Sequence, residues 1–480
     1  MNLVKKFISF SIGGYIGIFI GLLTTPVVTR LISPEEYGIF SIYNITLNIL
    51  VLILMLGLDQ GFVRFFYEEN ILEERSGLLK KSLKIPLVFF GFLSLIFLFG
   101  KDTIVEALFG KLNREYLVIY ILVGVLFSII NRFSILVIRM QQKGRLFSLI
   151  QVLNQIFNFL FIILLYKYYG NSYKVLIMSL ILTSLLIIII SLVVEKKIWF
   201  SHAKKSKTTY KKLLEYSYPI AITVIVSWLF QSMDKLFIKY YRNLYELGLY
   251  AAAFKIVALL NVIQNGFNTF WVPVSFQKYE ENCENNKFFR TIFDLVSLGM
   301  LFVAVGILLG RDILILILGE KFKDAIKIFP SLLMIPLMNT VSEVTVIGIN
   351  FKKKTKYHLI ISLVIVLVNL IGNYKLVPKL GAVGAAISTG FSYIIFFLLR
   401  TYFSKKVFKC DFRESRFVLL SLMLFVYSIY ISIFERPFFN YEIGILLLFF
   451  IILVYKDTLK VCLNKLVRIK FVDIKYEKNN

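Results

Sequence analysis

Fourteen long apolar stretches, set apart by short charged or turn-rich segments, constrain this chain more than any other feature. They cover about residues 7–31, 39–63, 85–99, 116–138, 148–166, 174–194, 214–238, 248–274, 291–310, 328–350, 357–374, 382–399, 417–434 and 443–455. Roughly 20 apolar residues in a helix cross a bilayer core about 30 Å thick, and lipid offers no partner to an unpaired backbone group. The expected fold class is therefore an all-α integral membrane protein with about 14 transmembrane helices. Composition agrees: 58% of the 480 residues are hydrophobic and the mean hydropathy is +0.77, whereas soluble domains are nearer 45–50% apolar. A water-soluble enzyme is excluded. So is a disordered chain, because 47 Phe and 27 Tyr supply too much burial.

The net charge of +26 is explained first by topology. With the N-terminus in the cytoplasm, inner segments hold 37 Lys and Arg and outer loops 15, with Arg132, Lys235 and Lys255 inside spans. Such an imbalance places both termini in the cytoplasm. The basic runs around Lys196-Lys197, Lys211-Lys212 and Lys352-Lys353-Lys354 are then orientation signals, suited to anionic inner-leaflet lipid; a nucleic-acid partner is not expected. Lys5-Lys6 imitates a signal peptide, but the apolar stretch reaches Leu31, too long for one. Cys283, Cys410 and Cys462 are isolated, and His202 and His358 stand alone. Neither a cofactor nor a metal site is expected.

The two halves repeat weakly at one register. Glu36-Tyr37-Gly38-Ile39-Phe40-Ser41 after the first span matches Glu246-Leu247-Gly248-Leu249-Tyr250-Ala251 after the seventh, 210 positions on. Lys143 and Arg145 match Lys354 and Lys356, and Asn158 matches Asn369, at 211. Six helices separate the copies, so the halves share one orientation, related by an axis along the membrane normal. The expected organisation is a six-helix lobe over 1–194, a basic cytoplasmic linker over 195–213, a second six-helix lobe over 214–403, and a final region over 404–480. That region holds the last two helices, apolar all round and so peripheral, and a basic cytoplasmic tail.

Polar residues within spans mark faces turned to protein or water. The seventh helix carries Thr223, Ser227, Gln231 and Asp234-Lys235; the eighth Lys255, Asn261, Asn265 and Asn268; the fifth Ser148, Gln151, Gln155 and Asn158; the second Asn44, Asn48 and Asp59. Interhelical hydrogen bonding explains any single stripe; four in matching parts of both halves point to a hydrated cavity. Gly13, Gly17, Gly21, Thr25 and Thr29 form a small-residue ridge for close helix packing, and Pro26 can bend it. Arg132, Lys235 and Lys255 within spans, with Arg30, Arg64 and Arg139 at span ends, outnumber the acids Asp59, Asp234 and Glu343. This balance favours an anionic ligand. Ion pairing, such as Asp59 with Arg64, is the structural alternative.

Arg30-Leu31-Ile32-Ser33-Pro34-Glu35-Glu36-Tyr37-Gly38 and Leu56-Gly57-Leu58-Asp59 resemble the opening of polysaccharide-transporter (Wzx-type) flippases. Asp234-Lys235 with Leu247-Gly248-Leu249-Tyr250, and Leu380-Gly381-Ala382-Val383-Gly384-Ala385-Ala386, resemble their seventh, eighth and twelfth helices, so the likeness spans about 5–403. The resemblance implies the multidrug/oligosaccharidyl-lipid/polysaccharide exporter fold, two six-helix bundles that alternate access in a bacterial inner membrane. It implies a polyprenyl-pyrophosphate-linked oligosaccharide as cargo, moved to the outer leaflet, and a polysaccharide polymerase and chain-length machinery as partners.

For that cargo the candidate pyrophosphate contacts are Arg30, Arg132, Lys235 and Lys255. Asp59, Asp234 and Glu343 are candidate coupling-ion or counter-ion groups, and Asn44, Asn48, Gln151, Gln155, Asn158, Gln231, Asn261 and Asn265 candidate sugar contacts. Three alternatives stand beside this reading: a cation-coupled multidrug exporter, a lipid-linked peptidoglycan precursor flippase, and a membrane glycosyltransferase or polymerase. The last is disfavoured by outer loops no longer than about 20 residues and the lack of any D-x-D sequence.

Overall fold

The computed structural model describes residues 3–110, 116–201, 204, 206–281, 286–354, 356–434 and 437–460. His202, Cys283, Cys462, the tail beyond 460 and the side chains of Lys5, Lys6 and Asn261 lie outside the described residues. Every regular element among the described residues is helical. In order these are α1 (Leu3–Leu31), α2 (Pro34–Met55), α3 (Leu58–Phe65), α4 (Leu72–Phe99), α5 (Lys101–Phe109), α6 (Tyr116–Met140), α7 (Gly144–Tyr169), α8 (Tyr173–Val194), α9 (Lys196–Trp199) and α10 (Tyr210–Tyr241). There follow α11 (Leu244–Leu259), α12 (Asn261–Glu281), α13 (Asn286–Leu309), α14 (Arg311–Leu318), a 3-10 segment (Glu320–Lys327), α15 (Phe329–Leu332), α16 (Met334–Thr345), α17 (Ile347–Phe351), α18 (Lys356–Val407), α19 (Glu414–Ile433) and α20 (Pro437–Val454).

All fourteen apolar stretches fall on helices, but among the described residues ten or eleven helices are long and apolar enough to cross a membrane. The difference from fourteen has local causes. The eighth stretch is divided between α11 and α12, and α20 is short. The eleventh and twelfth are one 52-residue helix in hydrogen bonding, yet Gly381 takes φ 60°, ψ −137°, open in practice to glycine alone. There α18 folds into two antiparallel legs: a Cβ on Gly372 would meet Ser388 Oγ at 2.2 Å, and one on Gly384 would meet Leu376 O at 2.5 Å. Side chains such as Phe92 (63% exposed), Phe99 and Tyr168 point outward from these helices. Apolar surface on that scale is at home in lipid rather than water.

The chain divides into two compact units, Met1–Leu236 with Leu244–Ala251, and Phe237–Asn243 with Ala252–Asn480. In the first unit the glycine ridge of α1 lies on α7: a Cβ on Gly13 would come within 2.3 Å of Ser148 O, and Gly13 N donates to Ser148 Oγ at 3.2 Å. Gly17 rests against Gln155, whereas Gly21 has nothing within 4 Å. Asn158 Nδ2 donates to Ser179 Oγ at 3.3 Å, tying α7 to α8. In the second unit Asn369 Nδ2 donates to Thr389 Oγ1 at 3.0 Å across the legs of α18. Asparagines 211 apart thus bind hydroxyls 210 apart.

The N-terminal turns of α2 and α11 meet reciprocally. A Cβ on Gly38 would lie 2.0 Å from Leu244 O, and one on Gly248 would lie 1.8 Å from Pro34 O. Both partners are related by the same 210 positions. Backbone touches backbone here, which only glycine permits.

The segment after α9 is strapped to the start of α4. Glu69, fully buried, accepts from Ser206 Oγ (2.6 Å), Thr208 Oγ1 (3.0 Å), Thr208 N (3.2 Å) and Lys207 N (3.2 Å). Burial alone would raise the Glu69 pKa, but these four donors together hold it below the ordinary value. Lys204 N donates to Glu73 O, and Lys143 pairs with buried Glu195 at 2.5 Å. In the second unit α19 is not apolar and lipid-facing all round, as its composition suggests. Ser421, Ser428 and Ser432 make a buried small-residue face, with Ser428 Oγ 3.4 Å from Ser331 Oγ, and α20 packs on α13 and α19.

Candidate functional site

The sequence places two left-handed residues in succession, Leu56 (φ 46°) and Gly57 (φ 71°), between α2 and α3. A Cβ on Gly57 would lie 2.4 Å from Ser217 O on α10, so glycine is required both for conformation and for space. This break ends α2 and restarts the chain with Asp59 in the first turn of α3, where the helix dipole favours a carboxylate.

Asp59 is buried, 6% exposed, and its Oδ2 accepts three hydrogen bonds: Arg132 Nη2 at 2.8 Å, Arg132 Nε at 3.1 Å and Gln60 Nε2 at 2.9 Å. The partner of Asp59 is thus Arg132 on α6 and not Arg64, which pairs with Glu68 at 2.9 Å. A guanidinium has five N–H donors, of which this pair engages two. The Arg132 side chain remains 56% exposed and faces a cavity of about 330 Å³ within the first unit. Asn48, Gln60, Ser128 and Asn131 supply its other polar groups, and Leu47, Val51, Leu52, Met55, Ile135, Ile220, Ala221 and Val224 its apolar wall. Asn131 Oδ1 has no hydrogen-bond partner.

Of the sequence candidates, this cavity gathers Asp59, Arg132 and Asn48. Gln60, Ser128 and Asn131 were missed, although Ser128, Asn131, Arg132 and Ile135 share one helical face and Gln60 adjoins Asp59. Asn44 donates to Phe40 O within its own helix. Gln151, Gln155 and Asn158 do not line this cavity. The first two abut the α1 glycines Gly14 and Gly17, and the third bonds Ser179. Arg30 is exposed on the last turn of α1, and Gln231 is exposed on α10. Asp234 is buried and accepts from Tyr250 OH of α11; Lys235, next to it, is partly buried. None of these four lines the cavity.

The second unit holds a different arrangement. Glu343 on α16 pairs with Arg400 on α18 at 2.9 Å, and Arg400 Nη1 also donates to Ser342 Oγ at 2.6 Å. Trp271 Nε1 donates to Glu343 O at 3.1 Å, between stacked Phe267 and Phe288. Arg400 is 8% exposed and fell one residue beyond the twelfth stretch, so its partner role was not read from the sequence. Lys255 is partly buried on α11 without a hydrogen-bond or ion-pair partner among the described residues. Asn265 is exposed on α12. No group of His, Cys, Asp and Glu among the described residues has the arrangement of a metal site.

A family model described as polysaccharide biosynthesis protein matches residues 3–278, more than half the chain. The chain belongs to the polysaccharide biosynthesis protein family. Relatives extend this family likeness. A capsular polysaccharide biosynthesis protein, CapF, of Staphylococcus aureus is 23% identical over 56% of this chain and 69% of its own length. An uncharacterized membrane protein of Methanocaldococcus jannaschii is 25% identical over 82% of both chains. Among solved structures, the lipid II flippase MurJ in an inward closed conformation superposes with a TM-score of 0.68, 18% identity, and coverage of 95% of this chain and 99% of that one. An inward-facing multidrug resistance MATE family transporter of the MOP superfamily gives a TM-score of 0.57 at 14% identity over 83% and 94%. This family member is thus a multi-pass membrane protein whose fold is like that of these two transporters.

Proposed function

We propose that the protein is a flippase that carries a polyprenyl-pyrophosphate-linked oligosaccharide from the cytoplasmic to the outer leaflet by alternating access, for surface polysaccharide assembly. The observation that carries the reading is Arg132: a guanidinium fixed by buried Asp59, with donors left over, facing a cavity of mixed polar and apolar lining. A cation held in position by a fixed counter-ion needs little reordering to accept a phosphate oxygen. Asn48, Gln60, Ser128 and Asn131 offer hydroxyl-binding groups beside it. At about 330 Å³ the cavity sits at the small end of ligand pockets, matching one sugar or diphosphate rather than a whole lipid-linked chain. The reading includes fourteen crossings with both termini cytoplasmic in a bacterial inner membrane, and two six-helix lobes related by the repeat. Lys255, Lys235 and Arg30 are further phosphate contacts in other states of the cycle, and a polymerase with chain-length machinery receives the product. Membership of a polysaccharide biosynthesis family and the capsular relative support this cargo.

The test is reconstitution of the purified chain into vesicles that carry a fluorescent polyprenyl-pyrophosphate oligosaccharide on one leaflet. Transbilayer movement by the wild type and its loss in Arg132→Ala are expected. Movement unaffected by Arg132→Ala at equal protein density would overturn the assignment of that cation.

A further inference from the structure

At the far end of the second leg of α18, an open groove of about 660 Å³ is lined by Leu398, Thr401, Tyr402, Lys405, Lys406 and Glu414. We propose that this groove binds an anionic phospholipid of the inner leaflet, its phosphodiester against Lys405 and Lys406 and its acyl chain along Leu398 and Tyr402. The proposal rests on the topology given above, which sets this end of α18 at the cytoplasmic face.

The face changes character over a short length. Leu398 (36% exposed) and Tyr402 (61% exposed) precede Lys405 and Lys406 on one side of the helix, a span of ~12 Å at 1.5 Å per residue. Hydrocarbon, interfacial ring and cation in that order follow the acyl chain, glycerol and phosphate of a phospholipid. The cations are not equivalent. Lys405 Nζ lies 2.6 Å from Glu414 Oε1, whereas Lys406 is exposed without a partner among the described residues. Thr401 is spent inward, its hydroxyl 2.8 Å from Thr345 Oγ1. Lys406 is therefore the open phosphate contact, and Glu414 holds Lys405 back from full engagement. A zwitterionic lipid gains little here, because its choline would oppose the same lysines.

Native mass spectrometry of the full chain with added phosphatidylglycerol or phosphatidylcholine reads the site directly. A lysine near a membrane surface contributes about 1 kcal/mol, or about fivefold in affinity. Phosphatidylglycerol is expected to bind at least about fivefold tighter than phosphatidylcholine, and Lys406→Ala to weaken it about fivefold. Glu414→Gln frees Lys405 and is expected to tighten binding, a gain that no misfolded variant would mimic. Equal affinity for the two lipids, wild-type binding by Lys406→Ala, or no gain in Glu414→Gln overturns the proposal. Full competition by soluble glycerol phosphate also overturns it, by assigning the site to a free phosphoester. Labelling of Lys409→Cys from the inner side checks the topology separately. Lipid occupancy does not depend on transport, so failure of the flippase reading and failure of this site are told apart.

Discussion

Adding one methyl group at position 248 tests a close backbone contact in the first unit. A Cβ there would sit 1.8 Å from Pro34 O, 2.7 Å from Pro34 C and 3.1 Å from Gly38 N. Ordinary contact begins near 3.4 Å, so the N-terminal turns of α2 and α11 must part by about 1.5 Å, and the atom struck is backbone that no rotamer change can move. Overpacking of this kind costs about 1–3 kcal/mol, against about 1 kcal/mol returned by replacing glycine with alanine inside a helix. A strike on backbone belongs in the upper half of that range, about 2–3 kcal/mol, so Gly248→Ala should lose about 1–2 kcal/mol net and melt a few degrees lower. The control is Gly91→Ala in α4, where nothing lies within 4 Å and the same exchange should be neutral or stabilising by up to about 1 kcal/mol.

Gly38→Ala strikes Leu244 O from the reciprocal side. Once one methyl has parted the turns, the second meets less resistance, so the double variant should lose less than the sum of the singles. Thermal unfolding of the four proteins in one detergent supplies the cycle. If Gly248→Ala melts with or above wild type, or the two losses add, the two turns do not form one close contact and the reasoning fails.

Arg132→Ala leaves buried Asp59 with only Gln60; since Arg132 is half exposed the pair itself contributes little, and the expected loss of about 1–3 kcal/mol in unfolding assays comes from the stranded carboxylate. Arg132→Lys keeps the charge but not the two-nitrogen grip, and should recover more stability than transport. Glu69→Gln removes the charge and replaces one of the two acceptor oxygens of the 206–208 strap by an NH2 donor, and should speed tryptic cleavage after Lys204 or Lys207, with the helices still protected. Because the Glu69 pKa lies below its ordinary 4.5 when folded, the strap gains stability above about that pH and loses it as pH falls through the lower, folded value. Hydrogen exchange at 206–209 should show this loosening in wild type and not in Glu69→Gln. Cys410 is 2% exposed, and burial pushes its thiol up to about 12; with the other two cysteines replaced, maleimide should label it only after unfolding.

Much of the architecture was legible because lipid imposes one rule on every span: backbone satisfied within the helix and apolar side chains outward. The site was less legible, for physical reasons visible at single residues. The stripe Gln151, Gln155 and Asn158 has the same spacing whether it faces water or another helix, and the contacts of Gln151 with Gly14 and of Gln155 with Gly17 come from α1, far away in sequence. Asp59 was found as an intramembrane acid, but Arg64 lies near it in sequence and Arg132 does not; the turn at Leu56-Gly57 aims the carboxylate at α6. Arg400 lies one residue beyond the twelfth apolar stretch, yet it is buried against Glu343. Periodicity reports which residues share a face; it does not report what that face meets.

Arg132 and Glu343 stand 211 positions apart, the offset that also relates Asn158 to Asn369. Each forms an ion pair inside its own unit, a cation at the first position and an acid at the second. Exposure differs as well. In the first unit the cation is 56% exposed and its acid 9%; in the second the cation is 9% exposed and its acid 20%. An anionic ligand would find Arg132 ready in one unit and Arg400 sequestered in the other. A symmetric pair of phosphate sites is therefore not what these side chains build. The first unit turns the positive member of its pair, Arg132, toward a cavity, whereas Arg400 is held against Glu343 and Ser342.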